Sequence, residues 1–347
     1  MKVFYRDEQT AKHNSSFSPS AGKPGKALDS WKKLGSPVET VIFAPATREQ
    51  LYKVHDQKYV DGVLDLKCSN GFGNRLPEVA EVLPYVAGSM VAATLHTFKT
   101  GETAFSPTSG AHHACFDHGG GYCTFNFLAL AAVEVYEAGA KKVAIIDCDR
   151  HGGNGTVDII HKLGLHFIKH YSFGYDHSIH DKELWKSQFP AKVRNILKDA
   201  DVLIYNAGAD PHIDDPLGGF LTTEELKERD DIVLGIAHEF QVPVAISLAG
   251  GYQDPLRKVL DIHDNTYLVA KKYANEVRSS NSRVSADNYG ADPYRRGYSD
   301  ALKKVLTIIR ECNEQEWCLE TSSVNAVLVD AIQTEMSDSR AQLLQRL

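Results

Sequence analysis

Short apolar runs rich in Val, Ile, Ala and Leu recur along this chain between much longer segments of helical period, and that alternation leaves few folds open to it. Val143 to Ile146, Val202 to Tyr205 and Val244 to Leu248 are too short to be helices and too apolar to be strands with one face in water. Runs of this kind are strands buried on both faces, the mark of a parallel sheet covered by its own crossover helices. The pattern predicts strands over Lys2 to Tyr5, Glu39 to Phe43, Thr103 to Ser106, Lys142 to Asp147, Val202 to Asn206 and Val242 to Leu248. It predicts helices over Arg48 to Val54, Pro84 to Thr97, Phe127 to Glu137, Thr223 to Glu239 and Asp264 to Ala274. With 347 residues, 43% of them hydrophobic, there is material for one large core. From Ser279 the sequence turns polar and rich in turn formers, which divides the chain into a main domain over 1–276, a linker over 277–297 and a C-terminal helical extension over 298–347.

Four of the strands run into glycine-containing loops that carry polar residues with no packing role. The loops are Ser106 to His113, Asp147 to Gly153, Asn206 to Asp210 and Leu248 to Tyr252. In a parallel sheet the ligand site lies beyond the carboxyl ends of the strands, so these loops are expected to meet in one crevice.

Asp149 and His151 stand two apart at the end of an extended run, so their side chains point the same way and can share a cation, with Asp210 completing the set. Two carboxylates and an imidazole leave a coordination position open, as a catalytic metal site requires. Zinc fits these ligands, and the oxygen-rich set also suits ferrous iron. Acidic residues at strand ends commonly cap the next helix, but the joint pattern argues against that role here. The adjacent His112 and His113 can divide acid and base work on an amide, whose nitrogen must leave as an amine. Asp147 and Asn154 are expected to orient these imidazoles through their other nitrogens. Tyr252, after Gly250 and Gly251, is placed to donate to the oxyanion that develops on the carbonyl. Gly121 and Tyr122 allow close backbone approach beside an aromatic wall. Asp117, His118 and Cys123 lie near in sequence, Asp214 and Asp215 are expected to shape the loop after Asp210, and His177, His180 and Trp185 to line the rim.

Together these segments resemble the histone deacetylase family, including its bacterial members and the acetylpolyamine amidohydrolases. The match is carried by Gly110-Ala111-His112-His113, Gly120-Gly121-Tyr122, Asp147 to Thr156, Gly208-Ala209-Asp210 and Gly250-Gly251-Tyr252, and it runs from about Val3 to Ala274. The resemblance implies an arginase-like open α/β fold with an eight-stranded parallel sheet, and a hydrolase that uses one Zn2+ per chain to release acetate from acetylated amines. It assigns the metal to Asp149, His151 and Asp210, catalysis to His112, His113 and Tyr252, and substrate contacts to Gly121, Tyr122, Gly250 and Gly251. Asp147 would orient His112, Asn154 would orient His113, and a structural K+ would sit by the backbone from Asp147 to His151. The chain departs from the family at Arg150, where an apolar or aromatic residue is usual, and at Gly152, where a second histidine is frequent. No Phe-Phe pair follows Ser178 to His180, so Trp185 or Phe189 is expected to supply the second aromatic wall of the channel.

The substrate class expected is an acetylated or acylated lysine on a peptide or protein, because the segment from Cys68 to Leu83 is short and leaves an open mouth. An acetylpolyamine or other small acylated amine is the alternative within enzymes. A two-manganese ureohydrolase would need a ligand order this chain lacks, and a catalytically silent acyl-lysine binder would have no use for Tyr252. A formal charge of −7 argues against nucleic-acid binding. No run of the roughly 20 apolar residues that span a bilayer is evident, and the N-terminus lacks the apolar core of a signal peptide. Six unpaired-looking cysteines, Cys68, Cys115, Cys123, Cys148, Cys312 and Cys318, fit reduced thiols. A cytoplasmic location, with no membrane partner, is expected.

Overall fold

In chain order the strands are β1 (Lys2–Phe4), β2 (Thr40–Val41), β3 (Ala104–Ser106), β4 (Val143–Asp147), β5 (Ile168–Ser172), β6 (Val202–Ala207) and β7 (Val244–Leu248). In the computed structural model, which describes residues 1–288, they form one sheet in the order β2-β1-β3-β7-β6-β4-β5, with every pair parallel. The sheet thus has seven strands among the described residues, where the resemblance implies eight. Its edges are built to stop. β2 is only two residues long, and Pro45 just beyond it has no N–H to offer a ladder. β5 at the other edge reads Ile-Lys-His-Tyr-Ser and is half-buried along its middle. That mixed composition also hid β5 from the sequence reading, which keyed on apolar runs.

The helices are α1 (Lys23–Trp31), α2 (Arg48–Tyr52), α3 (Gln57–Leu64), α4 (Pro77–Thr100), α5 (Phe127–Glu137), α6 (Asn154–Leu163), α7 (Lys182–Leu197), α8 (Thr223–Glu239) and α9 (Arg257–Asn288). Alternate residues of each central strand feed two separate cores. Val143, Ile145, Val202, Ile204 and Ala245 pack under α3 to α6, while Ala144, Ile146, Leu203, Tyr205, Ile246 and Leu248 pack under α1 and α7 to α9. Trp31, Phe105 and Tyr267 stack in the second core, with ring centroids 4.8 to 5.6 Å apart. α4 begins at Pro77 rather than at Pro84, because a proline fits the first turn and Pro84 is tolerated inside, where its carbonyl accepts from the Ala46 N–H at 2.8 Å. This helix is long and apolar enough to cross a bilayer, but 61% of its most apolar window is buried inside the protein. It packs on α5, β3 and β7, so its apolarity serves the core.

The chain divides into units Met1–Glu276 and Val277–Leu347. Helical backbone continues through Asn288, past the start of the expected linker at Val277. The remainder of that linker and the extension over 298–347 lie outside the described residues.

For the site, the strand order matters most. β3, β7, β6 and β4 are consecutive, so the four glycine-containing loops leave the sheet side by side. Register aligns Asp147 with Asn206, Asn206 with Ser247 and Ser247 with Ser106. Below this row, Phe189 is fully buried and stacks on Trp185 at 4.7 Å. Phe189→Ala should lower unfolding stability by about 3–5 kcal/mol in a denaturant melt; a loss under about 1 kcal/mol would show that this core face is not close-packed.

Candidate active site

β4 ends at Asp147, and the chain then bends over Asp149 to His151, with the His151 N–H donating to Asp149 Oδ1 at 3.0 Å. The His151 Nδ1 lies 3.1 Å from Asp149 Oδ1 and 3.0 Å from Asp210 Oδ2. One potential ligand atom from each residue falls within 4.8 Å of the other two, the one such group of three or more among the described residues. Both carboxylates are buried, and His151 is half-buried. Burial works against the Asp149 carboxylate, yet His112 and His151 hold it well below the usual range. Burial and the Asp149 charge push Asp210 up to about 7. Hydrogen bonds to both carboxylates raise His151 to about 10. The three inward-pointing ligand atoms lie close enough to share a divalent cation, and two carboxylates with one imidazole are a donor set suited to it.

Glycine makes this approach feasible at one point. A Cβ on Gly250 would sit 2.3 Å from Asp210 Cγ, and the Gly250 N–H donates to Asp149 Oδ2 at 2.8 Å. Gly250 and Gly251 are therefore buried against the ligand loops. Asp147 accepts from Asn206 Nδ2 at 2.7 Å and from the Asp149 N–H at 3.2 Å through Oδ1, leaving Oδ2 for His112.

The structure brings each expected histidine pair together. His112 Nδ1 lies 2.7 Å from Asp147 Oδ2 and His113 Nδ1 lies 2.6 Å from Asn154 Oδ1. The two rings are 4.0 Å apart. Two N–H groups in the first turn of α6, on Gly155 and Thr156, donate to the His112 carbonyl at 2.9 and 3.1 Å, which pins the loop to a helix start. Burial opposes charge on His112, but Asp147 and Asp149 outweigh it and raise the imidazole to about 9. Burial and the neighbouring His112 lower His113. Gly121, with φ of 53°, packs under the His113 ring, where a Cβ would meet Cδ2 at 2.4 Å.

Tyr252 faces the same crevice. Its N–H donates to Asp215 Oδ2 at 2.8 Å, and its ring centroid lies 6.0 Å from Tyr122 and 5.7 Å from Phe17. Burial and the charges of Asp149 and Asp210 push its phenol above the ordinary range, so the hydroxyl keeps its proton and can donate. Tyr122 is held at φ of 64°, and its N–H donates to the Gly71 carbonyl at 3.0 Å.

The second aromatic wall is not where the sequence placed it. Trp185 and Phe189 are 2% and 0% exposed and stack with Phe173 inside the core, because α7 turns that face to the sheet. Tyr175 is 51% exposed instead, and its ring occupies the space a Gly152 side chain would need, 2.3 Å from that Cβ position. Gly152 therefore makes room for an aromatic beside His151. His177 and His180 are exposed. Arg150 is tied to the loop after Asp210, its Nε donating to the Gly218 carbonyl at 2.8 Å.

Two buried cations escaped the sequence reading. Lys23 Nζ donates to the carbonyls of Ala249 and Gly250 at 2.6 and 3.2 Å and to Ser109 Oγ at 3.3 Å, and burial lowers it to about 8. Nothing local marks it, since it sits between Gly22 and Pro24. Arg229 and Asp230 did leave a signal, for they share the inward helical face with Leu226, Val233 and Ala237.

Comparison with known proteins agrees with this geometry. The histone deacetylase domain family matches residues 23–193. Histone deacetylase 2 of Arabidopsis thaliana is 26% identical over 257 residues, covering 64% of this chain and 66% of that protein. Acetylpolyamine amidohydrolase 2 of Pseudomonas aeruginosa is 34% identical over 137 residues, covering 31% of this chain and 40% of that protein. The crystal structure of the HDA15 HD domain superposes with a TM-score of 0.65 at 19% identity, covering 79% of this chain and 90% of that one, which establishes the fold.

The raised imidazoles have a consequence for stability. With no cation bound, His112 and His151 are held at about 9 and about 10 against an ordinary 6.5. The stabilisation they contribute is complete below that ordinary value and is lost as pH rises through the folded values. Chelator-stripped protein should therefore melt at progressively lower temperature from about pH 7 to about pH 10, whereas protein loaded with a divalent cation should hold its Tm over most of that window. A stripped protein whose Tm stays flat or rises would contradict the assigned charge balance.

Proposed function

We propose that this chain, which belongs to the histone deacetylase family, is a metal-dependent amide hydrolase that releases acetate from acylated amines, with acyl-lysine on peptides or proteins as its substrate class. The observation that carries the reading is the convergence of Asp149, His151 and Asp210 beside two oriented imidazoles and the Tyr252 phenol. Asp149, His151 and Asp210 would hold the ion. Zinc is the ion proposed, with ferrous iron as the alternative that the same oxygen-rich set accepts. A structural potassium ion beside the backbone from Asp147 to His151 belongs to the same reading.

When bound, the divalent ion acts as a Lewis acid toward the substrate carbonyl and makes water a stronger acid. The protein's own groups carry the protons. His113 donates its Nδ1–H to Asn154 and so presents Nε2 as an acceptor; its lowered pKa keeps it neutral near pH 7. It takes the proton of the water that attacks the carbonyl carbon and returns it to the amide nitrogen as the C–N bond breaks, giving acetate and an amine. His112, paired with Asp147, supplies positive charge alongside. Tyr252 donates its hydroxyl to the oxyanion, and Tyr122 and Tyr175 flank the arm that carries the acyl group.

The peptide preference rests on the short connection between α3 and α4, residues 65–76, which leaves little chain to close over the crevice. The similarity to an acetylpolyamine amidohydrolase favours a second reading, a small acylated amine as substrate. A cytoplasmic setting is part of the proposal.

Acetate release should be measured from an acetyl-lysine peptide and from acetylputrescine, side by side, before and after chelation. Chelator-sensitive turnover of the peptide is expected; turnover of acetylputrescine alone would move the chain to the small-molecule reading, and turnover of neither would leave an acyl-lysine binder. Tyr252→Phe should lower kcat about 10²–10³-fold while metal content and substrate binding hold; an unchanged kcat would remove Tyr252 from the mechanism. Asp210→Asn should lose the metal on dialysis, because a neutral amide is a poorer ligand than a carboxylate, and full occupancy by elemental analysis would refute the ligand assignment.

A further inference from the structure

Beneath the two ligand strands lies a buried cation that the mechanism above does not use. Arg229 and Asp230 are adjacent on α8 and 1% and 0% exposed. Nε and Nη2 of Arg229 donate to Asp230 Oδ1 at 3.0 and 2.8 Å. Its Nη1 donates to two main-chain carbonyls, Gly208 at 2.6 Å and Cys148 at 3.3 Å. Asp230 also accepts from the Tyr205 hydroxyl and, through Oδ2, from Thr266 Oγ1 at 2.6 Å.

A buried ion pair is a poor way to fill a core, since a well-packed apolar pair of the same volume is often as stable or more so. Packing therefore does not explain why this inward face carries an arginine. What an apolar side chain cannot do is bridge two carbonyls. Cys148 immediately precedes Asp149, and Gly208 stands two residues before Asp210. The β4–β6 ladder ends there, with the Cys148 N–H on the Asn206 carbonyl at 3.0 Å. Beyond that rung the Ala209 N–H turns to Gly250, at 3.2 Å, and among the described residues no further bond joins main chain to main chain between the two ligand-bearing segments; the Arg150 N–H reaches the Asp210 carboxylate instead, at 3.1 Å to Oδ1. Arg229 adds the tie between their main chains, from below.

We infer that Arg229 is a positioning residue for the metal centre: by bridging the carbonyls of Cys148 and Gly208 it fixes the separation of Asp149 from Asp210. The inference rests on the reading of those two aspartates as metal ligands. Asp230, held by Tyr205 and Thr266, in turn fixes the guanidinium. Arg229 touches neither substrate nor metal, so its removal acts first on metal affinity and ligand geometry, on the scale of other outer partners of metal ligands.

The test uses the full chain, stripped by chelator and reloaded with Co2+, whose d–d absorption reports ligand geometry. Arg229→Lys keeps a charge beside Asp230 but lacks the fork that reaches both carbonyls. The pair Arg229→Met with Asp230→Asn removes the ion pair together and leaves an acceptor for Tyr205 and Thr266. Phe189→Ala serves as a control, because it opens the core without touching either carbonyl. Both arginine variants should bind Co2+ about 10–100-fold more weakly and shift its absorption band, while Phe189→Ala lowers Tm and leaves affinity and band unchanged. Wild-type affinity and band in the arginine variants would overturn the inference. So would loss of folded protein in both, which would make Arg229 a folding residue alone. A wild-type chain with no Co2+ band sensitive to Asp210→Asn would overturn the metal-centre reading and this inference with it.

Discussion

Two carboxylates, Asp149 and Asp210, are forced together out of water at the ends of neighbouring strands, and much of the surrounding structure answers that constraint. Left alone, like charges at this depth repel and desolvate at a cost of several kcal/mol per ion. The protein does not relieve this by moving them apart. It surrounds them with positive partners: His151 between them, His112 on Asp147, and Lys23 and Arg229 underneath. The remaining deficit appears as a carboxyl pushed up to about 7 and an imidazole pushed up to about 10. A divalent cation answers it more completely than a proton, because it satisfies three ligand atoms at once.

The two lysine and arginine cations share a design. Each donates to main-chain carbonyls at strand ends rather than to the catalytic carboxylates: Lys23 to the β7 end, and Arg229 to the ends of β4 and β6. A carbonyl partner leaves the cation's net charge in place while fixing the loop's position. The same groups therefore hold the loops and temper the field around them. Gly250 fits this scheme from above, where the absence of a side chain lets its N–H reach Asp149 and its Cα lie against Asp210.

How much of this was legible in the sequence follows from the range of the interaction involved. β4, β6 and β7 were readable because both of their faces are buried, and α5 and α8 because their caps and period are local. β5 was not, since an edge strand with Lys169 and His170 looks like a loop when apolarity is the criterion. The grouping of Asp149, His151 and Asp210 with both histidines was legible because each follows a strand end, and the crevice follows from the parallel order. Lys23 was invisible, because its partners are more than 80 residues away in sequence. Trp185 misled for the complementary reason. A tryptophan near a predicted rim says nothing about which face of its helix meets the sheet, and α7 turns it inward.

The site is thus unequal in how firmly its two halves are fixed. The half that holds Asp149 and Asp210 is buried, and each of its loops is tied by hydrogen bonds to at least one other strand end. The mouth is built from aromatics with large exposed surface, Phe17 at 61% and Tyr175 at 51%, carried on turns. The loop carrying Phe17 is braced mainly by its own polar residues, with Asn14 Nδ2 on the Ser18 carbonyl at 2.7 Å and the Ser16 N–H on Asn14 Oδ1 at 3.0 Å. Exposed side chains on locally braced turns can change with little cost to the core, whereas the carboxylates and their buried cations cannot change singly without leaving a charge unpaired. The two halves are therefore separable here: the carboxylate cluster is locked into the sheet, and the aromatic mouth resides in the turns above it.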